Sequence, residues 1–192
     1  MLSNRNEKYP NVDSRKIAGQ VIDALKSHGI DTLPVQRGLD YGVWASFKVA
    51  FEPEENPLNV PIVQVSLFFS EDPSQQYKLG RAVASLRSQG MAVHNLRHLR
   101  FATSDPTPMP YTSSFEEALN DAATGPPTKR EQRLVTFLER EDARLAHPTF
   151  EHLLPINVEA GAANEDVKKR LWTLMEVSES WTQYSFGEIE AS

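Results

Sequence analysis

Ten consecutive residues without a charge, Val60 to Phe69 (Val-Pro-Ile-Val-Gln-Val-Ser-Leu-Phe-Phe), constrain this chain more than any other stretch. They are rich in β-branched and aromatic side chains and almost continuously apolar, the pattern of a strand covered on both faces. The segment is therefore expected at the centre of a sheet. Ser70 to Ser74 follow with turn and cap chemistry, and a helix is expected through about Gln89, with Leu79, Val83 and Leu86 on one face and Gly90 as its stop. A strand feeding a helix marks an α/β protein, here a mixed central sheet flanked by helices.

The remaining elements are read from the same signals. Asp13 or Ser14 can cap a helix whose apolar positions Ile17, Val21 and Leu25 recur every fourth residue, with Gly29 to end it. Residues 33 to 41 read as a loop, and Val43, Trp44, Phe47 and Phe51 as a short buried helix before Pro53 and Pro57 interrupt. Thr103 to Pro110 reads as an extended connection. Ser113 or Ser114 can cap a helix from Phe115 to Ala122, and Gly125-Pro126-Pro127 is the clearest break. A helix from Lys129 to Arg140 turns Leu134, Phe137 and Leu138 inward. Leu171 to Val177 and Thr182 to Phe186 read as closing strands, although the first also fits the extension of a helix from Glu165.

Composition narrows the function classes. With 192 residues the chain can bury one sizeable core, so one domain over 1–192 is expected. Its 20 basic residues are scattered among 26 acidic ones, for a net charge of -6. Phosphate-backbone binding needs a concentrated cationic face, so nucleic acid is not an expected partner. Without cysteine, any metal must be held by nitrogen and oxygen donors. No apolar run approaches membrane-spanning length, so a cytoplasmic protein without a membrane partner is expected.

Two histidine pairs are the residues best suited to chemistry. His94 and His98, in His94-Asn95-Leu96-Arg97-His98, would share one face of a helix and could share a metal; a backbone-bonded histidine beside a solvated one satisfies the same spacing. His147 and His152 flank Pro148, with Glu151 beside them at the mouth of an apolar helix. Thr149 can cap that helix, Glu151 suits its positive end, and Pro155 is tolerated in its first turn. The bland alternative is a helix start that carries two exposed imidazoles. Gly-rich phosphate loops, His-Glu-x-x-His and Gly-x-Ser-x-Gly are absent from the sequence. Trp44, Trp172 and Trp181 read as core or pocket wall, and His28 as a helix-end residue.

Four motifs occur in a set order: Gly38-Leu39-Asp40-Tyr41-Gly42-Val43-Trp44, then Pro61-Ile62-Val63-Gln64-Val65-Ser66-Leu67, then His94-Asn95-Leu96, then His147-Pro148-Thr149 with Glu151-His152-Leu153-Leu154-Pro155. In that order the chain resembles the class III extradiol ring-cleavage dioxygenases of the DOPA-dioxygenase, LigB-like type. The resemblance implies a catechol-type aromatic substrate opened with dioxygen at non-haem Fe(II), or Zn(II) as a stand-in metal. It makes His152 a metal ligand and His94 the acid or base beside the substrate, a role for which an imidazole with a pKa of about 6.5 is suited. His147 would border the pocket, with Trp44 as a wall. Tyr41 stands where such proteins usually carry a histidine, exchanging an imidazole for a phenol with a pKa of about 10.

Relative to that family, the chain is expected to lack an N-terminal metal-binding segment and a strand between Gly90 and His94. No bound metal, and a homo-oligomer that covers exposed sheet edges, are accordingly among the expectations. A non-catalytic aromatic-binding or regulatory pseudoenzyme is the alternative function. A metal-free enzyme using His94 and Tyr41 as an acid/base pair is a third.

Overall fold

A computed structural model describes residues 9–12, 14–93, 109–176 and 179–187. Asp13, His94, His98 and most of the 103–110 connection lie outside the described residues. The chain divides into two compact units, residues 1–66 and 67–192.

In the first unit, α1 (Arg15–Ser27) starts at Ser14, whose Oγ accepts a hydrogen bond from the Ile17 amide at 3.2 Å. It ends as the glycine requires. Gly29 sits at φ 67°, and the amides of Gly29 and Ile30 reach back to the carbonyls of Lys26 and Leu25, the paired bonds of a Schellman cap. Val21 and Leu25 are buried, as their spacing predicts. α2 (Tyr41–Ala50) forms where expected but buries none of its residues. Tyr9, Phe47 and Phe51 make a small aromatic row at 6.1 and 6.0 Å, and the Tyr9 hydroxyl donates to the Phe51 carbonyl.

The expected central strand is not formed. Residues 60–69 belong to no ladder among the described residues, and Val60 and Phe69 are exposed. Apolar β-propensity cannot make a strand without a partner to take its amides and carbonyls. Side chains substitute at two points. Asn11 both donates to the Ile62 carbonyl and accepts from its amide. In the second unit the fully buried Gln76 carboxamide does the same for Phe68.

The second unit holds the main core. α3 (Pro73–Arg87) is capped by Asp72, whose Oδ1 accepts from Ser74 and Gln75, and is closed by Gly90 at φ 82°. α4 (Pro110–Thr124) begins a turn earlier than serine capping would set it, because Pro110 occupies the first helical position, where its missing amide costs nothing. α5 (Pro127–Phe137) starts on the second proline of the break. α6 (Glu141–Ala146) and a 3-10 turn (Phe150–His152) lead to α7 (Pro155–Ala163). Tyr77, Phe115, Leu119, Leu134, Phe137 and Ile156 pack at the centre.

Helices α3 and α7 cross at two glycines. A methyl on Gly80 would stand 2.0 Å from the Val158 carbonyl oxygen, and one on Gly161 would stand 2.2 Å from that of Tyr77. Neither glycine is there for backbone freedom. Each is there because backbone fills the space a side chain would need.

The class combining helices with a sheet holds, and the sheet among the described residues is a two-stranded antiparallel ribbon of β1 (Lys168–Glu176) and β2 (Glu179–Phe186). The helical alternative for residues beyond Glu165 is thereby settled in favour of a strand. Lys168 pairs with Phe186, and the register shifts between Arg170 and Trp172. Buried Glu116 on α4 docks the ribbon, accepting from the Ser180 hydroxyl at 2.7 Å and the Tyr184 hydroxyl at 3.1 Å. Among the described residues no helix is long and apolar enough to cross a membrane.

Candidate functional site

His147 closes α6 rather than opening the next helix. It is the C-cap residue, its amide bonds the Ala143 carbonyl at 2.8 Å, and its ring lies 5.5 Å from that of Phe115. Thr149 makes no side-chain cap. The helix expected there starts only at Pro155, and the residues before it wind into the tighter 3-10 turn. Pro155 sets that boundary. Lacking an amide, it cannot bond the Glu151 carbonyl, while its fixed φ suits the first helical position after Leu153 and Leu154, which are already in the helical region.

His152 therefore ends a short turn whose backbone is firmly held. The amides of Leu153 and Leu154 both bond the Phe150 carbonyl at 2.8 Å, and Phe150, Leu153 and Leu154 are buried. The imidazole itself is 41% exposed, with Nε2 3.4 Å from the Glu151 carboxylate. An accessible imidazole on a hydrogen-bonded backbone between buried neighbours suits a ligand or proton-transfer group.

Two residues that the sequence did not single out hold this turn. The Glu71 carboxylate accepts from the Phe150 amide at 2.7 Å and from Arg144 Nη2 at 2.9 Å. Arg144 also donates to the Pro148 carbonyl, and its guanidinium lies 3.6 Å above the Phe150 ring. No local pattern could reveal the pairing, because 79 residues separate Glu71 from Phe150.

The Arg144 hydrogen bond, and then the Phe150 amide, hold the Glu71 carboxyl below the ordinary value of 4.5. A depressed folded pKa contributes stability above the unfolded value and loses it as pH falls through the folded one. A wild-type melting temperature above that of Glu71→Gln at pH 7, with the gap closing below pH about 4, is the expected result of a thermal-melt series. A gap independent of pH would reject the ionised clasp.

Tyr41 and Trp44 lie on α2 of the first unit, with ring centroids 5.2 Å apart at 85°. Tyr41 is exposed and Trp44 half-buried. Asp40, the residue before the helix, binds Arg37 at 2.7 Å and the Gln64 carboxamide. The five sequence-derived candidates thus fall into two local pairs, Tyr41 with Trp44 and His147 with His152, plus His94 outside the described residues. A small concavity in the first unit, lined by Tyr9, Asn11, Val12, Pro57 and Leu58, includes none of them.

Among the described residues no three metal-binding side chains stand together. His152 and Glu151 offer one nitrogen and one oxygen donor, short of the three protein ligands that an open catalytic site uses. The described residues do not by themselves fit a complete metal site.

The family model for the catalytic LigB subunit of aromatic ring-opening dioxygenase matches residues 3–188. The chain belongs to the LigB family. Dioxygenases of the LigB family are metal-dependent and act on aromatic compounds. The chain is 32% identical over 170 residues to a 4,5-DOPA dioxygenase extradiol-like protein of Schizosaccharomyces pombe, covering 84% of this chain and 56% of that protein. It is 29% identical over 161 residues to 4,5-DOPA dioxygenase extradiol of Escherichia coli, covering 80% and 58%. It therefore spans just over half the length of these relatives. A crystal structure of an uncharacterized Escherichia coli protein matches with a TM-score of 0.72 at 27% identity, covering 95% of this chain and 76% of that one.

Proposed function

We propose that this LigB-family chain, read as one extradiol-dioxygenase-like domain over 1–192, binds a catechol-type aromatic and serves its extradiol ring cleavage by dioxygen. The observation that carries the reading is His152, an accessible imidazole fixed by a buried turn, within a match to the family over residues 3–188. In this reading His152 is a donor to Fe(II) or Zn(II), and His94 exchanges the proton at the substrate. His147 borders the aromatic ring, and Tyr41 and Trp44 are the aromatic-binding candidates of the first unit. Further metal donors come from outside the described residues, and a second copy of the chain in a cytoplasmic homo-oligomer is one source.

The test is to load purified protein with ferrous iron and DOPA without oxygen, then admit oxygen. A yellow ring-opened product is expected, falling to background in His152→Ala and His94→Ala. Absence of product together with absence of iron uptake by elemental analysis rejects the proposal. Catechol binding that is unchanged by a chelator, without turnover, would replace it with the non-catalytic aromatic-binding reading.

A further inference from the structure

The geometry points to Glu71 as a positioning residue that fixes the His152 imidazole through the Phe150 backbone and the Arg144 guanidinium. The inference rests on His152 being the functional group of the proposed site. Glu71 stands immediately before Asp72, which caps α3, so its own backbone is tied to a helix start. From there its two carboxylate oxygens go to different partners. Oε1 takes the amide that opens the 3-10 turn, and Oε2 takes Arg144.

Arg144 completes a clasp. One nitrogen holds the carboxylate, another holds the Pro148 carbonyl, and the guanidinium face covers Phe150. Thus the segment between His147 and His152 is gripped at Pro148 by the arginine and at Phe150 by both residues. The Phe150 carbonyl is in turn the acceptor for Leu153 and Leu154. Since His152 lies between these anchored positions, its Cα has little freedom to drift and the turn sets the direction in which its side chain leaves the backbone. An outlying charge so placed orients a ligand without touching it, much as outer hydrogen bonds orient metal-bound side chains.

The clasp can be tested without turnover. Amide hydrogen exchange at Leu153 and Leu154 and the ring resonances of His152 would be followed by NMR at fixed pH in wild type, Glu71→Ala, Glu71→Gln and the control Arg81→Ala. Arg81, on α3, belongs to a comparable exposed ion pair, with Glu131 of α5 at 3.0 Å. Exchange should rise about tenfold in Glu71→Ala, the scale of one lost charge-assisted hydrogen bond, and the His152 resonances should move. Glu71→Gln should restore part of both, because its side-chain oxygen still accepts from Phe150. Arg81→Ala should change neither.

Unchanged exchange and resonances in a folded Glu71→Ala protein would overturn the assignment, as would equal effects in Arg81→Ala. If the wild type opens no catechol ring, the functional reading fails while these signals still judge Glu71. If it does, Glu71→Ala should lower kcat more than it raises KM, and Glu71→Gln should recover part of the loss.

Discussion

Gly161→Ala is expected to lower the melting temperature by about 10 °C, from an overpacking cost of about 3 kcal/mol in a domain of this size. The added methyl would meet the Tyr77 carbonyl oxygen at 2.2 Å, with Gly80 Cα and the Arg81 amide close behind. These neighbours are backbone. A flexible side chain could swing away, whereas here α3 and α7 must separate along their crossing, loosening Tyr77, Leu79 and Ile156 in the core. Gly80→Ala should act similarly against the Val158 carbonyl. The double variant should cost less than the sum, because the first methyl already opens the space that the second needs. Thermal melts of the three variants check the set, and a Gly161→Ala protein as stable as wild type would show that the crossing is loose. Because α7 begins at Pro155, three residues beyond His152, any ring-opening activity should fall more steeply than stability.

Arg130→Ala should cost about 3–5 kcal/mol, combining lost charge-assisted hydrogen bonds with a cavity. Arg130 projects from α5 and is fully buried. It donates to the Asn164 carbonyl at 3.1 Å and the Asp166 carbonyl at 2.6 Å, and its guanidinium lies 5.4 Å from the Phe186 ring centre. Asn164 sits at φ 52°, where the chain leaves α7 for the ribbon. One guanidinium therefore ties α5 to the end of α7 and to β2. Lysine at 130 would keep the charge but not the forked donors, and should recover less than half of the loss.

Arg130→Met separates the contributions. It keeps most of the volume while leaving two carbonyls without their donor. A denaturation midpoint near wild type for methionine would show that desolvating the guanidinium offsets its hydrogen bonds, as happens for some buried ions. A midpoint near that of alanine would assign the cost to the orphaned carbonyls.

The sequence made the helical elements legible wherever the deciding interaction spans a few residues. Ser14, Asp72, Gly29 and Gly90 each act on backbone groups within one turn, so the starts and stops of α1 and α3 follow from residue type. Leu79, Val83 and Leu86 are buried at the spacing that marks one helix face. The ribbon after Glu165 was half-legible. Leu171 to Val177 fitted a strand and a helical extension alike, and only the pairing of β1 with β2 decided for the strand.

Where local preference needed a distant partner, the reading went astray. Val60 to Phe69 has the composition of a buried strand, yet its backbone meets carboxamides at Asn11 and Gln76 rather than a ladder. α2 formed from its apolar pattern without becoming buried, because helix propensity does not decide what covers a face. Thr149 has the right chemistry for a cap, but the proline six residues later moved the helix start past it.

By itself, then, the sequence determined that helices form over the cores of α1 to α5, where α1 and α3 begin and end, and that His152 stands in a LigB-type motif, whereas α6 and the start of α7 at Pro155 were not read from it. Those outcomes depend on φ limits, missing amides and side-chain reach, all of which act within a few residues. Only the tertiary structure decided that Glu71 and Arg144 hold the histidine turn, that Gly80 and Gly161 let two helices touch, and that Arg130 joins three elements. Each of these is a contact between residues tens of positions apart, and proximity of that kind arises from packing of the whole unit, which no local pattern encodes.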